Sequence, residues 1–165
     1  MANAFLTGFE GGEITRLVTV TPTVQAAAYA TGDLIGGKQT IAGAALADYG
    51  TGRIKSVTLI SSTAFTVDLH VIFFTADPSG TTFTENGAIN IVAADAAKVC
   101  GSVLLDQSAI GVDLGTPDVL HLGGLDIPYE ITEAGSSLYA CMRIGGAHTP
   151  GSTTGITMRY GLSLV

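Results

Sequence analysis

The chain has 165 residues, of which 47% are hydrophobic and only 13% charged, and its net charge is −7. That length suits one domain able to bury its own core, and so low a charged fraction excludes a disordered polyelectrolyte. The seven basic residues are scattered along the chain, so no phosphate-binding surface and no nucleic-acid partner is expected.

Residues 1–12, "MANAFLTGFEGG", hold three glycines and the apolar Phe5, Leu6 and Phe9. They read as an N-terminal arm, flexible until these three side chains rest on a neighbour, and residues 13–165 as a single domain. The N-terminus lacks the basic segment and apolar block of a signal peptide, and no apolar run approaches the ~20 residues of a membrane span. Cytoplasmic synthesis and no membrane partner are expected.

Strand-like runs then follow in order. "ITRLVTVT" covers 14–21, "GDLIGG" with "KQTIA" covers 32–42, and "RIKSVTLI" covers 53–60. "FTVDLHVIFF" alternates most clearly: Phe65, Val67, Leu69, Val71 and Phe73 share one face, and Thr66, Asp68 and His70 the other. "AADAAKV" (93–99) predicts one helical turn leading into the strand "KVCGSVLL" (98–105). "VLHLGGLDIPYEI" (119–131) reads as another strand. "LYACMRIGG" places Leu138, Ala140, Met142 and Ile144 together, and "GITMRYGLSLV" does the same with Ile156, Met158, Tyr160, Leu162 and Leu164. Eight or nine short strands joined by Gly-, Pro- and Thr-rich segments predict an all-β protein, a two-sheet antiparallel sandwich, jelly-roll-like. Cys100 and Cys141 lie inside apolar runs and are expected as buried free thiols.

The polar constellations do not converge on a known chemistry. Asp68 and His70 share a strand face, yet a hydrolytic or metal site needs a third group, and His121 and His148 stand without a ligand spacing. In "FFTADPSGTTFTENGA" (73–88), Asp77, Glu85 and Asn86 offer oxygens, but acids do not alternate as a Ca²⁺ loop requires. "DPSG" reads as a turn opening at Asp77, "ENGA" as a second, and the stretch as a connector. "GGKQT" (36–40) and "GGLDIPYE" (123–130) lack the strand–loop–helix setting of a phosphate cradle and read as bulges. No catalytic residue, cofactor or metal site is expected.

Several segments together resemble tailed-bacteriophage virion proteins: "AAYATGDLIGG", "GTGRIKSVTLI" followed by "FTVDLHVIFFTADPSGTTFTENGAINI" as a strand pair, "ADAAKVCGSVLL", and "SSLYACMRIGG…HTPGSTTGITMRYGLSLV" as a closing hairpin. The resemblance covers most of residues 14–165 and rests on pattern. It implies a non-enzymatic capsid decoration, or cement, protein on the outer surface of the virion, made in the host cytoplasm. Its partners would be the major capsid protein, bound across subunits, and itself, with a homotrimer favoured over a homodimer. The connector at 73–88 would then lie at one end of the sandwich, against the shell or a sister subunit. The alternative within the same resemblance is a tail, baseplate or fibre module that binds a receptor or glycan.

Overall fold

The computed structural model describes residues 13–114 and 117–165. The arm expected over residues 1–12, with Phe5, Leu6 and Phe9, lies outside the described residues. Among the described residues ten strands form: β1 (Ile14–Val20), β2 (Leu34–Ile41), β3 (Thr51–Ser61), β4 (Leu69–Phe74), β5 (Val99–Leu105), β6 (Gly111–Asp113), β7 (Asp118–Leu122), β8 (Ile127–Glu130), β9 (Leu138–Ile144) and β10 (Ile156–Leu164). Two single-turn helices, α1 (Ala93–Ala96) and α2 (Gln107–Ile110), precede β5 and β6.

The strands make two antiparallel sheets, one ordered β1-β10-β3-β7-β6 with β8 also on β3, the other β2-β9-β4-β5. The pairings β1 with β10, β2 with β9, β3 with β7 and β4 with β5 trace one long antiparallel hairpin. Its tip is the β4–β5 connection. Wrapping that hairpin so that β10 also meets β3, and β9 also meets β4, closes the two sheets face to face. This is the jelly roll, with β6 and β8 as additions.

The inner faces supply the core. Leu69, Val71 and Phe73 of β4, Leu138, Ala140, Met142 and Ile144 of β9, and all five predicted residues of β10 are buried there. In β3 the register passes from Gly161↔Ser56 to Leu162↔Ile54, leaving Lys55 as an extra residue. This bulge lets Ile54 and Val57, three positions apart, both face the core.

Five expectations are corrected. The regular strand of "FTVDLHVIFF" begins only at Leu69, although Phe65 is buried in the core. "VLHLGGLDIPYEI" is two strands, because Gly123 and Gly124, the latter with φ of 71°, break the ladder before it resumes lower on β3. The third and fourth strands are not paired, nor do the last two form a hairpin; the link of residues 62–68, with its Ser and Thr, and the Gly-, Ser- and Thr-rich link of 145–155 each cross between sheets. The connector after β4 does not sit at one end of the sandwich. It folds back over the outer face of the four-stranded sheet, where Phe83, Ile89 and Ile91 pack with Ile72 and Tyr139 on buried Leu34, Phe74 and Cys141.

Candidate functional site

The polar groups singled out in the sequence are kept apart by the fold. Asp68 accepts a hydrogen bond from the Gln107 N–H at 3.0 Å. His70, two residues further, lies in a row between Arg143 and Leu104. His121 Nδ1 meets the Thr58 hydroxyl at 2.8 Å on the other sheet. His148 is buried against Phe65, ring centroids 4.6 Å apart, at the end where its backbone bridges to Tyr29. Among the described residues no three His, Cys, Asp or Glu side chains are grouped to hold a metal ion. Cys100 and Cys141 are free, and burial pushes their thiols up to about 11 and about 12.

The three oxygen donors of the connector diverge, each toward a different structural partner. Asp77 pairs with Lys38 of β2, and its N–H donates to Glu133 at 2.9 Å. Lys98 reaches back to the Asp77 carbonyl at 2.6 Å and to Asp95 at 2.8 Å, which holds the Asp95 carboxyl below its ordinary range. The predicted first turn is displaced by one residue, its hydrogen bond closing from Thr81 N–H to the Pro78 carbonyl. The second is also displaced by one residue, with Glu85 and Asn86 as its turn residues and Asn86 at φ of 58°.

Glu85 is the anchor of the connector. Its carboxylate accepts the N–H groups of Gly36 at 3.0 Å and Gly37 at 2.8 Å, and the hydroxyl of buried Tyr29. Gly36 and Gly37 have φ of 79° and 57°, so two successive N–H groups point the same way and form a nest for an anion. A Cβ on Gly36 would lie 2.8 Å from Pro22 and 2.9 Å from Met142. The bulge read in "GGKQT" is thus a receptor for the chain's own carboxylate. Burial, then the hydrogen bond to Glu85, pushes the Tyr29 phenol well above its ordinary range. In the core, the Tyr160 hydroxyl donates to Gln39 Oε1 at 2.8 Å and ties β10 to β2. Sequence reasoning missed both links, since neither Glu85 nor Gln39 lies near its partner in the chain.

Two seven-residue strands end the sheets with an open side, β5, with Val99 and Leu104 partly exposed, and β1, whose edge carries the more exposed apolar side chains. Among the described residues no strand pairs with the outer edge of β1. Val18 and Val20 pack toward the core, yet Ile14, on the same face, is 48% exposed. Leu17 points outward and is 62% exposed, because its cross-strand neighbour is Gly161, which has no side chain to cover it. The signal was visible in "ITRLVTV": Leu17 is the apolar member of the otherwise threonine face Thr15, Leu17, Thr19. By contrast the outer edge of β2 is blunted by its glycine bulge and by the ion-paired Lys38.

No protein-family model matches the chain, and no curated protein matches it. Among solved structures it is similar to a Bacillus endospore appendage of the disulfide-linked pili, at 11% identity and a TM-score of 0.21, covering 94% of this chain and 93% of that one. It is also similar to a chain of Sacbrood virus of honeybee, at 12% identity and a TM-score of 0.26, covering 90% and 67%. A chain of the Israeli acute paralysis virus full particle gives 9% identity and a TM-score of 0.24, covering 98% and 73%. These neighbours are viruses and a pilus, and at such TM-scores they carry no argument about activity. The jelly roll stands on the strand pairing.

Proposed function

We propose that the protein is a non-enzymatic structural subunit of a phage virion that decorates the outer capsid surface, binding across major capsid protein subunits and stabilising the shell. The observation that carries an assembly role is the open β1 edge. A seven-residue strand whose outer side pairs with no strand among the described residues, and which exposes Ile14 and Leu17, is a surface that natural β proteins cover. Assignment of the assembly to a phage capsid draws on the sequence resemblance. The mechanism is mechanical: area buried between neighbours adds binding free energy to the assembled shell and raises the barrier to its disruption.

The test is reconstitution. Purified protein is added to capsids that lack it, and bound copies are counted by quantitative mass spectrometry, with resistance to heat measured alongside. Hundreds of copies per particle and a raised disruption temperature are expected; a handful of copies would assign the chain to the tail, and no binding would remove the reading. Deleting residues 2–12 should leave the thermal transition of the isolated protein unchanged and weaken attachment.

A further inference from the structure

We infer that two copies of this chain join through β1 about a twofold axis at Leu17, so that the two larger sheets continue into one another. The inference rests on the reading of the protein as an assembly subunit and names the contact by which it meets itself.

The argument starts from the register that β1 offers. Leu17 is the central residue of Ile14–Val20, so an antiparallel copy centred there pairs all seven positions. Leu17 then opposes Leu17 of the second copy, Thr15 opposes Thr19, Arg16 opposes Val18 and Ile14 opposes Val20. Residues directly opposite share a sheet face, so all pairs but Arg16 with Val18 are of matched kind. Leucine meets leucine and threonine meets threonine on the outer face, where Gly161 leaves Leu17 bare. Ile14, the exposed apolar residue of the inner face, gains Val20 beside it.

Charge permits the same register. The chain carries −7 overall, and self-association must avoid opposing like charges. Residues 14–20 contain no acid, and their single charge, Arg16, donates to the Gly43 carbonyl at 2.6 Å on its own chain. Opposite it stands Val18, not a second Arg16. The flanking Glu13 faces Thr21 in this arrangement and lies 3.8 Å from Lys55 of its own chain. The other end of the sheet is a poorer partner. β6 has three residues, so a head-to-tail contact of β1 with β6, which would generate a ring such as a trimer, leaves more than half of β1 unpaired.

The experiment uses the full chain in solution, apart from any capsid. Sedimentation equilibrium of the unaltered protein should give a dimer, and Leu17→Asp should give a monomer with an unchanged far-ultraviolet circular dichroism spectrum. Mild oxidation of Leu17→Cys should yield a covalent dimer, because opposite residues fall within disulfide range. Thr15→Cys should not, since two copies of residue 15 lie four positions apart along the seam, roughly 13 Å, beyond what a disulfide spans. The double variant Thr15→Cys, Thr19→Cys should cross-link again. A monomeric unaltered protein, a trimer indifferent to Leu17→Asp, or equal cross-linking by the two single cysteine variants overturns the inference. Because capsids are absent, failure here leaves shell attachment to be judged by its own measurement, and failure of attachment leaves the dimer standing.

Discussion

The two sheets turn very different outer faces away from the shared core. The smaller one carries Leu34, Ile72, Phe74, Tyr139 and Cys141, and the β4–β5 connector closes over them with Phe83, Ile89 and Ile91. The larger one carries a polar row, Thr19, Arg159, Thr58 and His121, running across four paired strands, with no cover among the described residues. An apolar outer face obtains its cover from its own chain, and a polar one stays in water. Leu17 is an apolar side chain on the bare face, as are Ile60, Val119 and the 54% exposed Val112 in a second row, but of these Leu17 alone stands on the seven-residue edge strand β1, where a second molecule is expected.

The largest effect that separates these environments lies on β4. Leu69 is fully buried in the core, while His70 points to the outer face beyond the connector, between Arg143 and Leu104. Leu69→Asp should lower stability by about 4 kcal/mol or more, because an unpaired carboxylate is driven into an apolar interior. His70→Asp should cost about 1 kcal/mol or less. Urea midpoints of the two variants settle the matter, and equal midpoints would show that the two faces do not differ as described.

Next in size is the cover itself. Phe74 is fully buried beneath the connector, with the Phe83 ring edge-on at 6.3 Å. Phe74→Ala should cost about 3–5 kcal/mol, and Phe83→Ala, which is half-buried, clearly less. Thr58→Ala on the bare face should change stability by about 0.5 kcal/mol or less. Were Thr58→Ala to cost as much as Phe83→Ala, the distinction between covered and bare faces would fail.

A smaller effect tests how the cover is held. Glu85 is the carboxylate that fastens the connector to Gly36, Gly37 and Tyr29. Glu85→Ala leaves those two N–H groups without their acceptor, at a cost of about 1–3 kcal/mol. Hydrogen exchange at Gly36 and Gly37 should accelerate more than exchange within β10. Uniform acceleration through the domain would mean that Glu85 supports the fold as a whole and not the latch.

The inner faces were legible because a strand with one wet side alternates, and Leu69 through Phe73 or Ile156 through Leu164 alternate cleanly. The cover was harder to read. Consecutive buried residues such as Phe73 and Phe74 indicate a strand buried on both sides, but the sequence does not say what lies on the second side. Phe83, Ile89 and Ile91 are spread through turns with no period to mark them. Sheet membership was less legible still: the link from Gly145 to Gly155 has the glycines and threonines of a hairpin loop, yet it crosses between sheets. Only short loops tie composition to pairing. The Glu85 latch joins residues 48 and 49 positions apart, and such closures leave no local signature.

The smallest expected effect lies at His148, at the end of the sandwich where neither sheet's outer face is involved. Its ring is buried beside Phe65, and its Nε2 has no hydrogen-bond partner among the described residues. Burial disfavours the charged imidazolium and lowers its pKa below the ordinary value. As pH falls through about 6.5, the unfolded chain takes up this proton before the folded one does, so stability declines with acidification until the folded ring also titrates. His148→Phe keeps an aromatic ring against Phe65 and removes the titration. Thermal transitions between pH 7.5 and 5.5 should therefore fall for the unaltered protein and fall less for His148→Phe. The range stops above the ordinary carboxylate values of about 4, so acids such as Asp95, held low by Lys98, do not contribute to the difference. Parallel slopes would mean that the ring reaches solvent, which would open the end of the sandwich that Tyr29 and His148 close through their paired backbones.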